Sequence, residues 1–486
     1  MPVAIQLHNT RTRRLEPFQP LQPNEAGIYT CGPTVYQYTH LGNFRTYVVS
    51  DLLRRLLEYQ GFAVKHVMNI TDVGHLVGDG DEGEDRLEVG AKREGKTAWE
   101  IASYYTDAFL HDLARLNLRQ PHVLPRATQH IPEQIALIEQ LETKGFTYRT
   151  GDGIYFETSK LSDYGSLLGQ DRDQLLAGAR VEVNPEKHHP ADFALWKFSE
   201  DRRQTTEDRA DSSSVIRPPS SERRQMEWDS PWGVGFPGWH IECSAMSVKY
   251  LGQPFDLHIG GEDLVFPHHT NESAQTEAAT GQPLANYWLH GAFMSVDGAK
   301  MSKSLGNTYT VEDVVKRGHD PLAFRYLTLQ THYRKPLNFT WEAVQAADQA
   351  LANLRALVRE LPEEGTELDP ATEEEFRTHI GHDLGLPQAL ALFWDVLKSD
   401  REAGEKTTAV QHWDQVFGLG LADQLGKLEE IPTEVSALVA KREQARGAGE
   451  YGQADELRSK LTDLGYTVDD TPDGPKVHRV EKPTEL

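Results

Sequence analysis

The sequence predicts an α/β protein: a parallel-sheet core interrupted by an inserted region and followed by an α-helical C-terminal domain. Three features carry that expectation. The opening segment alternates strand, tight turn, helix and strand; aromatic, hairpin-like pieces then break the pattern before strands resume; and beyond Trp341 the apolar spacing is helical.

Gly27-Ile28-Tyr29-Thr30-Cys31 is a short β run stopped by Gly32-Pro33. Val48, Val49, Leu52, Leu53, Leu56 and Leu57 make a helical stripe that Gly61 ends, and Val64 to Ile70 follows as a strand. This order opens a Rossmann-like parallel sheet, whose ligands bind beyond the carboxyl ends of its strands. From Arg126 to Trp228 the pattern changes. A helix over Pro132 to Lys144 leads into hairpin pieces such as Gly153-Ile154-Tyr155-Phe156. Ser199 to Glu227, rich in Arg, Asp, Ser and Pro, has little to bury and reads as an exposed loop. The sheet resumes over Phe236 to Met294, including Phe255-Asp256-Leu257-His258 and Trp288 to Met294. Helical patterns then cover Ala343 to Leu361, Pro387 to Lys398 and Val435 to Arg446, and a small tail, Ala454 to Val477, follows. The expected domains are a core over 1–125 and 229–340, an inserted connective region over 126–228 with its loop at 199–227, a helical domain over 341–430 and a small module over 431–486.

Composition bounds the function. At 486 residues the chain exceeds one ordinary hydrophobic core, and its 38% apolar content suits a soluble globular protein. No apolar run is long enough to span a bilayer, so no membrane partner is expected. Met1 to Arg14 carries Arg11, Arg13 and Arg14 with no apolar stretch behind them, unlike a signal peptide. Two cysteines exclude a disulfide framework and suit a reducing cytosol, which gives a cytoplasmic expectation. The net charge of −24 argues against nucleic acid only superficially. Leu361 to Leu486 holds 27 acidic and 13 basic residues, so over half of the acidic excess lies in the last quarter. A face elsewhere can still be locally basic.

Thr39-His40-Leu41-Gly42-Asn43 falls in the turn between the first strand and its helix. An imidazole, and a backbone bare of side chain, at a helix N-terminus suit ATP. Gly42 lets adenine or ribose approach, while His40 and the positive helix end stabilise phosphate charge. Lys300-Met301-Ser302-Lys303-Ser304 follows the Asp297-Gly298 turn, which puts it on a loop. Its two lysines can clamp triphosphate oxygens while pyrophosphate leaves. A generic K-x-x-K is usually a solvated loop; this pentapeptide is far more specific. Together the two strings resemble the HIGH and KMSKS signatures of class I aminoacyl-tRNA synthetases. That resemblance implies adenylate formation from an amino acid and ATP with Mg2+, then transfer to the terminal ribose of tRNA. Positioning and charge stabilisation would carry the chemistry. Catalytic roles fall on His40, Lys300 and Lys303, and ATP contacts on Thr39, His40, Gly42, Asn43, Lys300, Ser302 and Lys303.

A second constellation selects the amino acid. Cys31 and Cys243 are expected at strand ends facing one crevice, and His268 and Glu272, four apart, share a helix face. Singly these are bland: buried free cysteines are common, and a His–Glu helix pair is usually surface charge. As a set beside the ATP motifs they make a Zn2+ ligand group, one ion per chain. Cysteine and serine are nearly isosteric, and an apolar pocket separates such analogues poorly. A soft thiol deprotonates on zinc and bonds it, whereas a hydroxyl is harder and far less acidic. The expected substrate is L-cysteine, chosen without an editing domain.

Further stretches extend the resemblance to the cysteine–tRNA ligase family over nearly the whole chain. They are Tyr29 to Tyr36, Asn69-Ile70-Thr71-Asp72, Pro237 to Met246, and Phe266-Pro267-His268-His269 with Asn271-Glu272. The resemblance implies that Cys31, Cys243, His268 and Glu272 bind zinc and that Thr71, Trp239, His258 and Asp263 line the cysteine pocket. Asp263 would pair with the substrate ammonium. The implied partners are cysteine tRNA, L-cysteine and ATP, and the expected state is a monomer. Ala454 to Arg458 and Asp470 to Gly474 resemble the anticodon-proximal end of that family. The chain departs from the pattern at Val73-Gly74-His75-Leu76, where acidic residues are usual, at Ile259 and Thr270, and at Val477-His478-Arg479, where a closing tryptophan is usual. Ser199 to Glu227 resembles an extra insertion. Two alternatives stand at this point: the related ligase that joins cysteine to an amino-sugar inositol in mycothiol synthesis, and a non-catalytic tRNA-binding paralogue. Roughly 140 residues beyond Trp341 weigh against the first, and intact His40, Lys300, Lys303 and metal ligands against the second.

Overall fold

The computed structural model describes residues 4–74, 85–165, 167, 184–199, 224–301, 305–427, 432–471 and 474–479. They form two units: Met1–Thr310 with Thr331–Phe339 and Arg377–Gln388, and Val311–Gln330 with Thr340–Phe376 and Ala389–Leu486.

In the first unit β1 (Gln6–Asn9) and β2 (Arg14–Pro17) pair antiparallel. β3 (Glu25–Thr30) passes through α1 (Leu41–Tyr59) to β4 (Ala63–Met68), which lies parallel to it. Helices α2 (Arg86–Glu94) and α3 (Ala98–Arg115) follow, the second opened by a capping box between Thr97 and Glu100. The inserted region contains α4 (Ile131–Thr143) and an antiparallel sheet of β5 (Thr147–Arg149), β6 (Gly153–Phe156), β7 (Phe193–Phe198) and β8 (Gly235–Pro237). Ile138, Leu141, Ile154, Phe156, Phe193 and Trp196 pack its core. The chain then returns through α5 (Trp239–Leu251), β9 (Phe255–Gly261), α6 (Thr270–Thr280) and β10 (Ala285–Gly291).

The central sheet has the order β10-β9-β3-β4, all parallel. From β3 the chain moves outward to β4, and from β9 outward to β10, in opposite directions. The β3–β9 seam is therefore the topological switch point, where a crevice opens beyond the carboxyl ends of the strands. β3 and β9 are buried on both faces: Ile28, Tyr29, Leu257 and Ile259 are fully enclosed, and so is the polar His258. Past β10, β11 (Met294–Val296) and β12 (Ala299–Lys300) form a hairpin. Its two-residue turn is Asp297-Gly298, at φ 50° and 74°, the signs a type I′ turn requires. β13 (Leu337–Phe339) pairs parallel with β11.

The second unit is helical. It holds α7 (Val311–Lys316), α8 (Pro321–Leu329), α9 (Trp341–Arg359), the larger parts of α10 (Pro370–Gly381) and α11 (Leu386–Lys398), α12 (Ala403–Phe417), α13 (Thr433–Gly447) and α14 (Tyr451–Asp463). Phe376 stacks on Trp413 with centroids 4.5 Å apart. The hairpin β14 (Tyr466–Thr471) and β15 (Gly474–Arg479) joins α13 and α14 over a small core of Val435, Val439, Leu461 and Val468.

One expectation is corrected. Cys243 lies within α5, not at a strand end. Every residue from His240 to Ser247 is buried, so this helix has no polar face and its 3.6-residue period is invisible in the sequence. Of the segment expected as an exposed loop, 200–223 lies outside the described residues. Its C-terminal end is packed: Met226 is buried, and the Arg224 guanidinium lies 3.3 Å over the Phe236 ring. Among the described residues no helix is long and apolar enough to cross a membrane.

Candidate active site

His40 caps α1 in extended backbone, and its Nδ1 accepts a hydrogen bond from the Asn43 amide at 3.3 Å. In a β-α unit this helix end stands at the carboxyl edge of the sheet, where free amides and the helix dipole favour anions. Thr39 and His40 are half-buried and Asn43 is exposed. A Cβ on Gly42 would lie 3.0 Å from His40 Nδ1 and 3.3 Å from Met301 Sδ, so the bare backbone lets both neighbours close over it. That contact brings the second signature to the first. His40 also bridges to Thr310, and the Leu41 amide donates to the Tyr309 carbonyl at 2.8 Å. Lys300 is exposed at the end of β12, its carbonyl accepting from Asn307 Nδ2 at 3.1 Å. Ser302 and Lys303, assigned to ATP from the sequence, lie outside the described residues.

Arg45, one turn into α1, is a residue that sequence reasoning passed over. Its guanidinium donates to the carbonyls of Ala292 and Phe293, each at 2.6 Å, and to that of Lys335. These acceptors flank the start of β11 and of β13, so a buried cation ties the first-signature helix to the strands that carry Lys300.

The predicted metal ligands converge. Cys31 directly follows β3, Cys243 is in the second turn of α5, His268 is in a kinked turn before α6, and Glu272 is in the first turn of α6. All four are buried, with one donor atom of each within 4.8 Å of the others. Cys31 Sγ lies 4.0 Å from Cys243 Sγ and 3.5 Å from Glu272 Oε1. His268 Nε2 lies 3.4 Å from Cys243 Sγ and 3.0 Å from Glu272 Oε1. Tetrahedral zinc, with bonds of about 2.3 Å to sulfur and about 2.0 Å to nitrogen or oxygen, separates its ligand atoms by about 3.3–3.8 Å. The separations of 3.0–4.0 Å found here bracket that range, so the donor set fits such an ion with shifts of a few tenths of an ångström. Both thiols are free.

The electrostatics of the cluster agree. Burial pushes the Cys243 thiol up, yet the Cys31 thiol and the His268 imidazole bring it down to about 6. Cys31 goes the other way, raised by burial and by the Cys243 sulfur beside it. Burial disfavours charge on His268, but the Glu272 carboxylate raises it to about 10, and Glu272 in turn is held well below the usual carboxylate range by His258 and His268. A buried thiolate and carboxylate facing one imidazolium form a charge pattern that a divalent cation would also balance.

Around this cluster stand two of the four residues expected in the amino-acid pocket. The Trp239 ring lies 4.2 Å from that of His268, and His258 Nε2 lies 3.0 Å from Glu272 Oε2. Thr71 lies beyond β4 and Asp263 beyond β9, the strands on either side of β3. Thr71 Oγ1 accepts from Asn69 Nδ2 at 3.0 Å, and Asp263 is exposed in the turn after β9. Sequence reasoning missed the outer ring of the cluster. His269 Nε2 lies 3.3 Å from Cys31 Sγ, and its Nδ1 lies 2.7 Å from His290 Nε2. His240 Nδ1 lies 3.0 Å from His268 Nδ1. The doubled histidine after Pro267 was the available signal; a lone histidine on β10 or α5 gives none.

Comparison with known proteins places these residues in a wider set. Residues 17–349 match the family described as tRNA synthetases class I (C) catalytic domain, and residues 428–476 match the cysteinyl-tRNA ligase anticodon binding domain. The chain is 49% identical over 478 residues to cysteine--tRNA ligase 1 of Burkholderia lata, covering 98% of this chain and 97% of that protein. It is 40% identical over 499 residues to the cysteine--tRNA ligase of Thermus thermophilus, covering 98% and 99%. Among solved structures, methionyl-tRNA synthetase of Mycobacterium tuberculosis in complex with methionyl-adenylate superposes with a TM-score of 0.55 at 15% identity, covering 82% of this chain and 93% of that one. The LeuRS–tRNA–LeuAMS complex of Agrobacterium radiobacter K84 gives 0.54 at 13% identity, covering 84% of each. The two structural likenesses speak for the fold.

Proposed function

The chain belongs to the cysteine–tRNA ligase family of class I aminoacyl-tRNA synthetases, and from that premise we propose that it activates L-cysteine with ATP and Mg2+ and transfers it to the 3′ end of cysteine tRNA, with Zn2+ selecting the thiol. One observation carries the reading. Two thiols, an imidazole and a carboxylate from three separate parts of the chain meet in one buried cluster beside the β3–β9 switch point.

Each residue then has a task its chemistry suits. Asp263, exposed at the end of β9, pairs with the substrate ammonium, and Trp239 and Thr71 wall the side-chain pocket. His40 and the α1 amides hold the phosphates as the cysteine carboxylate attacks the α-phosphorus and pyrophosphate leaves. Thr39, Gly42, Asn43 and Ser302 belong to the same ATP site. Lys300 and Lys303 neutralise the charge that accumulates on the leaving pyrophosphate. Cys31, Cys243, His268 and Glu272 would hold Zn2+, which when bound takes a soft thiolate in preference to a hydroxyl. His258 steadies Glu272 in that set. We assign 1–125 and 229–340 to the catalytic core, 126–228 to the connective insert, 341–430 to the helical domain and 431–486 to an anticodon-proximal module, in a cytoplasmic monomer.

The test is amino-acid-dependent pyrophosphate exchange across the twenty amino acids, followed by charging of total tRNA and assay of zinc content. Exchange with cysteine alone, charging of cysteine tRNA and one zinc per chain are expected. Exchange with another amino acid, or cysteine activation without any tRNA charging, overturns the assignment.

A further inference from the structure

Tyr38 and Tyr104 leave 47% and 45% of their surface exposed. They stand together: the two hydroxyl oxygens are 2.6 Å apart, and the Tyr38 ring packs edge-on against Tyr105 at 5.1 Å. Cations decorate the cluster. Lys96 Nζ lies 4.5 Å over the Tyr104 ring, and Arg93 Nη2 lies 3.5 Å from the Tyr105 hydroxyl. Both cations also pair with Glu94, at 3.4 and 2.8 Å, and the Tyr105 hydroxyl donates to the same carboxylate at 2.6 Å. From Arg86 to Lys96 the chain holds four cations to two carboxylates, directly after the acidic run from Asp79 to Asp85. Tyr38 is two residues from His40, so the cluster lies at the rim of the catalytic crevice.

Exposed aromatic faces interleaved with cations suit an unpaired nucleic-acid strand, whose bases stack on rings while its phosphates meet the charges. Building on the proposed function, we propose that Tyr38 and Tyr104, with Lys96 and Arg93, form the surface on which the single-stranded 3′ end of tRNA stacks as it enters the crevice. A protein partner would find little apolar area here without burying the ion pairs of Glu94, whereas a phosphate of the tRNA end can meet Lys96 and Arg93 on the 41% and 53% of their side chains that stay exposed beside that carboxylate.

The experiment uses the full chain and the variants Tyr104→Ala, Tyr104→Phe and Lys96→Glu. The KM for tRNA in aminoacylation is compared with cysteine-dependent pyrophosphate exchange, which uses no tRNA. Losing one stacking ring should raise the KM for tRNA about tenfold. Lys96→Glu should raise it as well and lessen its salt dependence. Tyr104→Phe, which keeps the ring face, should behave as the parent, and exchange should stay within about twofold throughout. An unchanged KM in Tyr104→Ala overturns the proposal. So does a fall in exchange that matches the loss of charging, or a changed oligomeric state, which would make this face a contact between copies. Filter-binding Kd for total tRNA carries the same comparison without catalysis. A parent protein that binds tRNA through these residues but fails to exchange with cysteine would refute the functional reading and leave this one standing.

Discussion

The Arg45 guanidinium lies 2.6 Å from the backbone oxygen of Phe293, a bond that joins the helix of the first signature to the strand pair carrying the second. Arg45 is a buried cation whose acceptors here are neutral carbonyls, and its desolvation lowers its pKa to about 10. Its value is geometric: one planar fork reaches three acceptors that no single ammonium can span.

Arg45→Met should therefore cost about 1–3 kcal/mol of stability, the range for leaving polar groups unsatisfied. Arg45→Lys should fold nearly as well but hold β11 less firmly, raising the KM for ATP in pyrophosphate exchange while the KM for cysteine changes little. Denaturant unfolding and exchange kinetics check both. Parental values in the two variants would show that the bond positions nothing.

Gly74 explains one departure from the family pattern. Its φ is +75°, and a Cβ there would lie 2.6 Å from the buried Glu242 Oε1 and 2.7 Å from the Pro237 carbonyl. Gly74→Asp, which restores an acidic residue, should destabilise the protein by about 1–3 kcal/mol through left-handed strain, before any steric shift is added. Thermal unfolding of this variant beside Gly61→Asp reads the difference. Gly61 is also at positive φ, 94°, but has nothing within 4 Å of a Cβ. Equal losses at the two positions would mean that the contacts around Gly74 are unimportant.

The same physics decides what was legible in the sequence. The β3-α1-β4 opening could be read because the apolar residues of α1 recur at helical spacing and Gly32-Pro33 and Gly61 mark its limits. The Asp297-Gly298 turn could be read because a type I′ turn demands such residues. His268 and Glu272 were found by their spacing, and they do lie side by side. α5 was missed because it is buried from His240 to Ser247 with polar and apolar residues mixed around it, so no helical period shows. Arg45 gave no signal, because its acceptors at Ala292, Phe293 and Lys335 are far away in the sequence. His269 and His290 come from a kink and a strand, and only the fold brings them together.

Acid sensitivity should trace in part to His66. It is fully buried against Thr30 and Ser50, its Nδ1 has no hydrogen-bond partner among the described residues, and burial lowers its pKa from 6.5 to about 3. Below pH 6.5 the unfolded chain takes up a proton that the folded chain refuses. The stability is thus complete above about 6.5 and is lost as pH falls towards about 3, by a few kcal/mol at most. Replacing His66 with Gln should flatten the fall between pH 6.5 and 4.5 relative to the parent. Urea midpoints across that range measure it, and parallel curves for the two proteins would assign the acid sensitivity elsewhere.

The last prediction separates two ways of holding a metal. Two buried donor sets share Cys31 and Glu272: one adds Cys243 and His268, the other His258 and His269. The first offers two soft sulfurs, the second only one, and zinc in a closed site favours the first. Glu272 presents Oε1 to both Cys31 and His268 of the first set and turns its other oxygen to His258, while His269 Nδ1 meets His290, which in turn meets Thr10 Oγ1 at 2.8 Å. That is the arrangement of outer partners that orient ligands. Cobalt in place of zinc makes the difference visible, because each thiolate–cobalt bond adds charge-transfer absorption in the near ultraviolet. The parent protein should show the intensity of two thiolates. Cys243→Ser should lose about half of it and most of its metal affinity, since a hydroxyl is a poor replacement for a thiolate. His269→Gln should keep the full band and bind cobalt about 10–100-fold more weakly, the usual cost of losing an outer partner. If His269→Gln instead abolishes the band while Cys243→Ser retains it, the metal sits in the second set, and the ligand assignment made for Cys243 and His268 is wrong.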